Sequence, residues 1–256
     1  MVRIATWNVN SLRVRLPHVL HWLKTEQPDV VALQEIKLQD IDFPEAPFTE
    51  HGYHYVCSGQ KTYNGVAILC KAEPGRIITS LPGYDDPQKR VLCAAINGIN
   101  ILNLYAPNGS AVGSEKFLYK LNWFSHLRPF VQELLARPGP TVVLGDLNIA
   151  PEDRDVHDPA AWEGSVLVSE PERAEFRKLL ALGLKDCFRL ITQEPGHYSW
   201  WDYRAAAFRR NLGLRIDHIL ASDALAVLCR GCRIDKGPRK LEQPSDHAPV
   251  LADFDI

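Results

Sequence analysis

Apolar and polar positions alternate in short runs along most of this 256-residue chain. Alternation with a period of two is typical of strands with one buried face, and short unbroken apolar runs are typical of fully buried strands. The pattern predicts strands over residues 3–7, 30–33, 53–57, 66–70, 91–96, 99–105, 141–144, 214–220, 232–235 and 250–254.

Three other segments carry apolar residues at helical spacing. Residues 12–24 place leucines and a valine on one face, and residues 115–136 form a longer amphipathic pattern. Residues 171–182 open with an acidic first turn and stop at Gly183, as a helix does. We therefore predict three helices interspersed among the strands.

The connections between the runs indicate how the strands pair. Asn97 and Gly98 join residues 91–96 to residues 99–105, which predicts an antiparallel hairpin. Other runs are separated by a helix. The mixture favours an α/β fold in which two mixed or antiparallel sheets pack face to face, flanked by helices. Neither a repeat nor a Ser/Gly linker interrupts the chain, so we expect a single domain over residues 1–256.

Composition and charge narrow the classes of protein. With 46% hydrophobic and 9% aromatic residues the chain is globular, and a net charge of -2 argues against a protein that coats DNA nonspecifically. No run has the length of a membrane span or the form of a signal peptide. The six cysteines are interpreted as structural thiols, and a cytoplasmic location is expected.

Several predicted strands end in polar residues that could carry chemistry. The string TVVLGDLN runs from a buried strand directly into Asp146 and Asn148. A single polar residue after a strand is most often a turn or capping residue. Here the same arrangement recurs at Asn8, Asn10, Glu35, Tyr105, Asn108, Asp217, Asp246 and His247.

These strand ends are expected to meet at one end of the sandwich. Four carboxylates would then share a small space, and two unit charges about 4 Å apart repel by roughly 4 kcal/mol at an effective dielectric near 20. Such a cluster requires a cation or raised pKa values. Oxygen ligands with few imidazoles suit Mg²⁺, for which Mn²⁺ can substitute, better than zinc.

The strings that contain these residues resemble the exonuclease III family of DNA-repair nucleases and abasic-site endonucleases, within the deoxyribonuclease I-like endonuclease/exonuclease/phosphatase superfamily. The resemblance covers essentially the whole chain. GDxN and SDHxP alone mark only the superfamily, whereas the ordered set is far more specific. That set is TWNVNSLR (6–13), LQEIK (33–37), YNGVAI (63–68), LYAPN (104–108), LGDLNIAPEDRD (144–155), YSWWDYR (198–204), LGLRIDHIL (212–220) and PSDHAPV (244–250).

The resemblance implies a four-layered α/β sandwich and a role for each polar strand end. Glu35 is the principal Mg²⁺ ligand, Asp146 the candidate general base and Tyr105 a phosphate or leaving-group donor. His247 lies against the scissile phosphate, oriented by Asp217, and Asn148 positions the water or the phosphate. The full implied ligand set is Asn8, Asn10, Glu35, Asp146, Asn148, Asp246 and His247.

The implied partner is double-stranded DNA with an abasic site or a 3′ end, bound by a monomer. The resemblance places against DNA the residues Arg13, Tyr63, Asn108, Trp200 and Leu214. Leu214 stands where many relatives carry a tryptophan, so this chain departs from the family near the substrate pocket. Further basic residues that could contact phosphates are Lys61, Lys116, Arg204, Arg209, Arg210 and Arg239.

The activity implied is a Mg²⁺-dependent DNA phosphodiesterase of base-excision repair. It would cleave 5′ of abasic sites, remove 3′ nucleotides or 3′ blocking groups, or do both, and the sequence leaves that balance open. The enzymatic alternative is a superfamily phosphatase on a non-DNA substrate such as an inositol phosphate. The others are a binding module without catalysis, which should have lost a catalytic residue, and a redox switch at Cys229 and Cys232.

Overall fold

Strands make up the centre of the molecule and helices its two outer faces. The computed structural model describes every residue from Met1 to Ile256. Its strands, β1 to β14, are Val2–Asn8, Val30–Gln34, His54–Ser58, Val66–Cys70, Gly75–Ile78, Val91–Ile96, Ile99–Tyr105, Thr141–Asp146, Leu184–Asp186, Trp200–Trp201, Gly213–Leu214, Asp217–Ser222, Cys229–Ile234 and Val250–Phe254. Its helices, α1 to α8, are Leu12–Glu26, Glu45–Thr49, Glu115–Ala136, Pro159–Trp162, Glu170–Ala181, Cys187–Ile191, Ala207–Arg210 and Asp223–Ala226.

The strands form two six-stranded sheets and one short ribbon. The first sheet has the order β13-β14-β1-β2-β4-β3, the second has the order β5-β6-β7-β8-β12-β9, and β10 pairs with β11. In each large sheet one pair is parallel, β1 with β2 and β7 with β8, and the others are antiparallel. The predicted pair of mixed sheets is confirmed.

Three hydrophobic clusters define four layers. The largest lies between the sheets, where Ile4 and Val250 of the first sheet pack with Val142 and Ile219 of the second. A second cluster packs α3 and α5 on the outer face of the second sheet, and a third packs α1 on the outer face of the first. The order helix, sheet, sheet, helix is the four-layered sandwich expected from the resemblance.

The hairpin between β6 and β7 forms where the sequence predicts it. Both loop residues adopt left-handed backbone angles, with φ 49° at Asn97 and φ 79° at Gly98. Two consecutive left-handed residues match the right-handed twist of the flanking strands. The register pairs Ile96 with Ile99, so the two strands run antiparallel as predicted.

Some predicted boundaries were wrong. The strand predicted over 214–220 is divided, because Leu214 pairs with Trp200 in the ribbon while β12 begins only at Asp217. The strand predicted over 232–235 begins at Cys229. Three short strands, β5, β9 and β10, were not predicted.

Two further sequence-based expectations concern the cysteines and membrane spans. All six thiols are unpaired, and four of them are buried. No helix of the structure is both long and apolar enough to cross a bilayer.

Candidate active site

The inward-facing side chains change from apolar to polar at one end of the sandwich. Along β8 the inward residues are Val142, Leu144 and then Asp146, because alternate side chains of a strand share a face. Other inner strands reach the same end at Asn8, Gln34, Tyr105 and Asp217. The candidate site is therefore the polar continuation of the core between the sheets.

Asp146 is held from two sides and almost completely buried, with 1% exposure. One carboxylate oxygen accepts from Asn8 Nδ2 at 2.9 Å, and the other accepts from the backbone N–H of Asn148 at 2.9 Å. The preceding residue must be glycine. Gly145 has φ 137°, and a Cβ there would lie 1.9 Å from the carbonyl oxygen of Leu104.

His247 lies between two carboxylates. Its Nδ1 is 2.8 Å from Asp217 Oδ2, and its Nε2 is 3.8 Å from Asp146 Oδ2. Burial alone would lower the pKa of His247, but the charges of Asp217 and Asp146 outweigh burial and raise it. Burial raises the pKa of Asp146, and the positive charge of His247 opposes that rise. The imidazole is therefore protonated at neutral pH and donates from both nitrogens.

Glu35 supplies a second carboxylate next to Asp146. It follows β2 with a left-handed φ of 48°. Its Oε1 accepts from Asn8 Nδ2 at 2.9 Å, and its Oε2 is paired with Lys37 Nζ at 3.0 Å. Glu35, Asp146 and His247 each offer one ligand atom, and these atoms lie within 4.8 Å of one another. Carboxylate oxygens beside amide side chains fit a hard divalent cation.

Asp246 belongs to the same site but stands beside this group. Its two oxygens accept from Asn10 Nδ2 at 2.9 Å and from Trp200 Nε1 at 3.0 Å. Burial disfavours its charge, but His247 and these two hydrogen bonds outweigh burial and lower the pKa of Asp246. Asn10 also accepts from Lys37 Nζ at 2.6 Å, which connects Asp246 to the lysine that pairs with Glu35.

Tyr105, Asn108 and Asn148 line the second-sheet side of the site. Tyr105 lies opposite Asp146 in the register of β7 and β8, with the Arg90 guanidinium 4.8 Å from its ring centroid. Burial, followed by the charges of Glu35 and Asp146, raises the pKa of Tyr105 well above its usual range, so the phenol stays protonated. Asn108 Nδ2 donates to Asn148 Oδ1 at 3.3 Å.

The structure separates the predicted DNA contacts into two groups. Arg13 and Asn108 are exposed, Tyr63 is 67% exposed and Trp200 is half-buried. Leu214 has 0% exposure, because it packs in a small core and pairs with Trp200 across the ribbon. It offers no surface to DNA in this structure and supports the wall that carries Trp200.

The prediction that Arg239 contacts phosphate was wrong. Its side chain is 6% exposed and lies over the rings of Trp201, Tyr203 and Phe208. It donates to the carbonyl oxygen of Ser245, next to Asp246. Arginine commonly stacks on aromatic faces in this way, so its role here is to support the loop that carries Asp246.

Sequence reasoning missed two residues of the site. Lys37 contacts both Glu35 and Asn10, and the signal was its place two residues after Glu35 in LQEIK. Ser199 accepts at its Oγ from the backbone N–H groups of Ile216 and Asp217 at 3.1 and 3.0 Å. Nothing in its immediate sequence indicates a contact with a segment 17 residues away.

Comparison with known proteins agrees with this geometry. A model of the endonuclease/exonuclease/phosphatase family matches residues 5–247. Exodeoxyribonuclease III of Haemophilus influenzae is 37% identical over 267 residues, covering 99% of this chain and 100% of the relative. The structure also superimposes on the 3′ phosphatase NExo from Neisseria, solved as an Asp-to-Asn variant bound to a product DNA hairpin. That pair has 49% identity, a TM-score of 0.99 and complete coverage of both chains.

A third relative carries the other activity that the sequence left open. An AP endonuclease from Archaeoglobus fulgidus is 42% identical, with a TM-score of 0.97 and complete coverage of both chains. The chain belongs to the endonuclease/exonuclease/phosphatase family, and within it to the exonuclease III group of DNA-repair nucleases.

Proposed function

We propose that this protein is a Mg²⁺-dependent DNA phosphodiesterase of base-excision repair, with Mn²⁺ able to replace Mg²⁺. The observation that carries the proposal is the position of Asp146. It lies between Asn8, which also holds Glu35, and the pair formed by His247 and Asp217. This arrangement puts a candidate base, a cationic donor and a carboxylate cluster at one polar end of the core.

The metal-binding residues follow from their oxygen ligands and their position. Glu35 and Asp146 would hold the ion directly, with Asn8, Asn10, Asn148 and Asp246 completing or orienting the ligand set. The bound ion would neutralise these carboxylates and stabilise charge on the phosphate oxygens. Because Asp217 keeps His247 protonated, we assign His247 to the phosphate rather than to the metal.

The remaining chemistry follows from the protonation states of the side chains. Asp146 has a pKa raised by burial, so its carboxylate is a suitable acceptor for a proton from the attacking water. His247 donates from Nε2 to a non-bridging phosphate oxygen, and the protonated phenol of Tyr105 donates to phosphate or to the leaving oxygen. Asn148 and Asn108 hold the phosphate in line with the water.

We further propose a monomeric enzyme of one catalytic domain that acts on double-stranded DNA. The family match over residues 5–247 supports a single domain. Unpaired thiols are typical of a reducing compartment, which favours the cytoplasm. The relatives named a 3′ phosphatase and an AP endonuclease support both 3′-end processing and abasic-site cleavage as candidate activities.

One experiment tests the function and divides these activities. The protein is incubated with Mg²⁺ and two duplexes, one with a single abasic analogue and one with a recessed 3′ end, and the two cleavage rates are compared. Parallel reactions use a 3′-phosphorylated end and an inositol phosphate. Cleavage of neither duplex, together with release of phosphate from the inositol phosphate, would contradict the proposal. EDTA should stop every DNA reaction.

A further inference from the structure

Lys120 is a completely buried lysine in α3, and all its hydrogen-bonding capacity is directed at the base of the site. Its side chain has 0% exposure, and no other lysine of the protein is buried. An ammonium group has three N–H donors. They reach the carbonyl oxygen of Asn108 at 3.1 Å, the carbonyl oxygen of Asn148 at 2.6 Å and a carboxylate oxygen of Glu172 in α5.

The two carbonyls belong to the loops whose side chains form one wall of the site. Asn148 has a left-handed φ of 52°, which is uncommon for a residue with a side chain, so its peptide orientation depends on its contacts. Asn108 Nδ2 donates to Asn148 Oδ1 at 3.3 Å, so a shift of either loop would separate the two amides. The loop after Asn108 also lies tightly on the lysine, because a Cβ at Gly109 would be 3.2 Å from Lys120 Cδ.

Glu172 neutralises the lysine without moving toward the site. Its carboxylate also accepts from the backbone N–H groups of Leu167 and Ser169 and from the Ser169 hydroxyl, so it is fixed at the start of α5. A buried charge is tolerated when it is paired and hydrogen-bonded. The pair is nevertheless costly, since hydrophobic residues of similar volume often stabilise a core as well or better.

We propose that Lys120 is a positioning residue for DNA cleavage, which fixes Asn108 and Asn148 in register by binding their two backbone carbonyls. It does not touch the substrate, because both loops lie between it and the site. The inference rests on the proposed function, since it assigns a support to the same site.

The test replaces the ion pair by a neutral pair of similar size, Lys120→Met with Glu172→Gln. The matched control is Arg128→Met with Glu175→Gln, because this second pair also joins α3 to α5 but contacts neither loop. We expect the first double variant to lose kcat by on the order of 10- to 100-fold with a smaller change in KM. The control should stay within about twofold, and urea unfolding of both variants reports their stability.

A double-mutant cycle distinguishes positioning from general loosening. If Lys120 acts through the wall formed by Asn108 and Asn148, the neutral pair should slow an Asn148→Ala protein by less than about threefold. Full multiplication of the two losses, or a folded neutral-pair variant with wild-type kcat, would overturn the proposal.

Glu172→Gln alone keeps the proposal testable if the neutral pair fails to fold. The lysine remains, and even a neutral amine has two N–H groups for the two carbonyls. We expect lower stability with kcat within about threefold of wild type below the unfolding transition. A loss of kcat of tenfold or more in this variant would refute the positioning role. Absence of DNA cleavage by the unaltered protein would instead reject the proposed function.

Discussion

Two buried polar clusters lie on opposite faces of β12, and their charges are arranged differently. On the outer face, Arg215 donates to Asp155 at 2.6 Å, to Asp186 at 2.7 Å and to His218 Nδ1 at 3.1 Å. Arg189 also pairs with Asp155. We call these five residues the Arg215 cluster. Two guanidinium groups meet two carboxylates there, and the histidine is held between the arginine and a backbone carbonyl.

The catalytic cluster, formed by Glu35, Asp146, Asp217, Asp246 and His247, lacks that balance. It has four carboxylates, and the cations in contact with it are His247 and Lys37. One oxygen of Asp217 is buried without any partner. Buried charges are normally paired, and departures from this rule concentrate at functional sites. The comparison indicates that the Arg215 cluster holds the fold together, whereas the catalytic cluster is built to receive a cation and a phosphate.

The largest expected effect is on activity. Asp146→Ala and His247→Ala should each lower the cleavage rate by about 10²- to 10⁴-fold, the range for loss of a general acid or base. Stability should be kept or should rise, because the substitution of Asp146 removes a carboxylate from an unbalanced cluster. Mg²⁺-dependent cleavage and urea unfolding measure the two quantities.

The control for these two variants is Arg177→Ala, which removes an exposed pair with Glu170. It should change neither activity nor stability measurably, since exposed pairs contribute little. Near-wild-type turnover in either site variant would contradict the assignment of the catalytic cluster.

The Arg215 cluster should respond in the opposite way. Arg215→Met leaves Asp155 and Asp186 buried without this partner, so we expect a loss of about 3–5 kcal/mol in the free energy of unfolding. Urea unfolding monitored by circular dichroism measures it. Where the variant is still folded, kcat should fall much less than in Asp146→Ala. A variant as stable as wild type would show that the cluster is not structural.

The next effect is a dependence of stability on pH at His218. Arg215 can only donate, so His218 Nδ1 accepts and its Nε2–H donates to the carbonyl oxygen of Ile149. Burial, followed by the charge of Arg215, lowers the His218 pKa to about 4 from 6.5, against the opposing charges of Asp186 and Asp155. The Phe176 ring packs on the imidazole from α5.

The sign follows from these values. Above pH 6.5 the unfolded histidine is neutral as well, and the contribution of His218 is fully present. Between pH 6.5 and 4 only the unfolded state takes up the proton, so up to about 3 kcal/mol of stability is lost as the pH falls. Asp146 titrates in the same interval in the opposite direction, so the difference between wild type and His218→Gln is the quantity to measure. A difference independent of pH would refute this contribution.

The strand ends of the catalytic cluster were predictable because the apolar alternation itself continues into polar residues. β8 shows this directly, since Val142, Leu144 and Asp146 share one face. Strands without that signal were missed. β5 is exposed along most of its four residues, and β10 has two residues whose partner lies across a loop. A pattern within one segment carries no information about such pairing.

The Arg215 cluster could not be predicted for a related reason. Arg215 meets Asp155 and Asp186 from 60 and 29 residues away, and each of the three would pass for a surface charge in sequence. The break in the predicted strand has the same origin. Ser199 Oγ takes the backbone N–H groups of Ile216 and Asp217, which removes them from the sheet ladder. Local propensity favours a continuous strand, and a tertiary contact overrides it.

The smallest expected effect divides the two clusters by their response to a metal ion. If a divalent cation compensates the catalytic cluster, Mg²⁺ at 100 times its dissociation constant should raise the free energy of unfolding by about 2.7 kcal/mol. Glu35→Gln should abolish that increment, because it removes the charge of the principal ligand. Arg215→Met should keep it, because the Arg215 cluster has its own countercharges. Thermal unfolding with Mg²⁺ and with EDTA measures all three proteins, and an undiminished increment in Glu35→Gln would mean that the ion binds elsewhere.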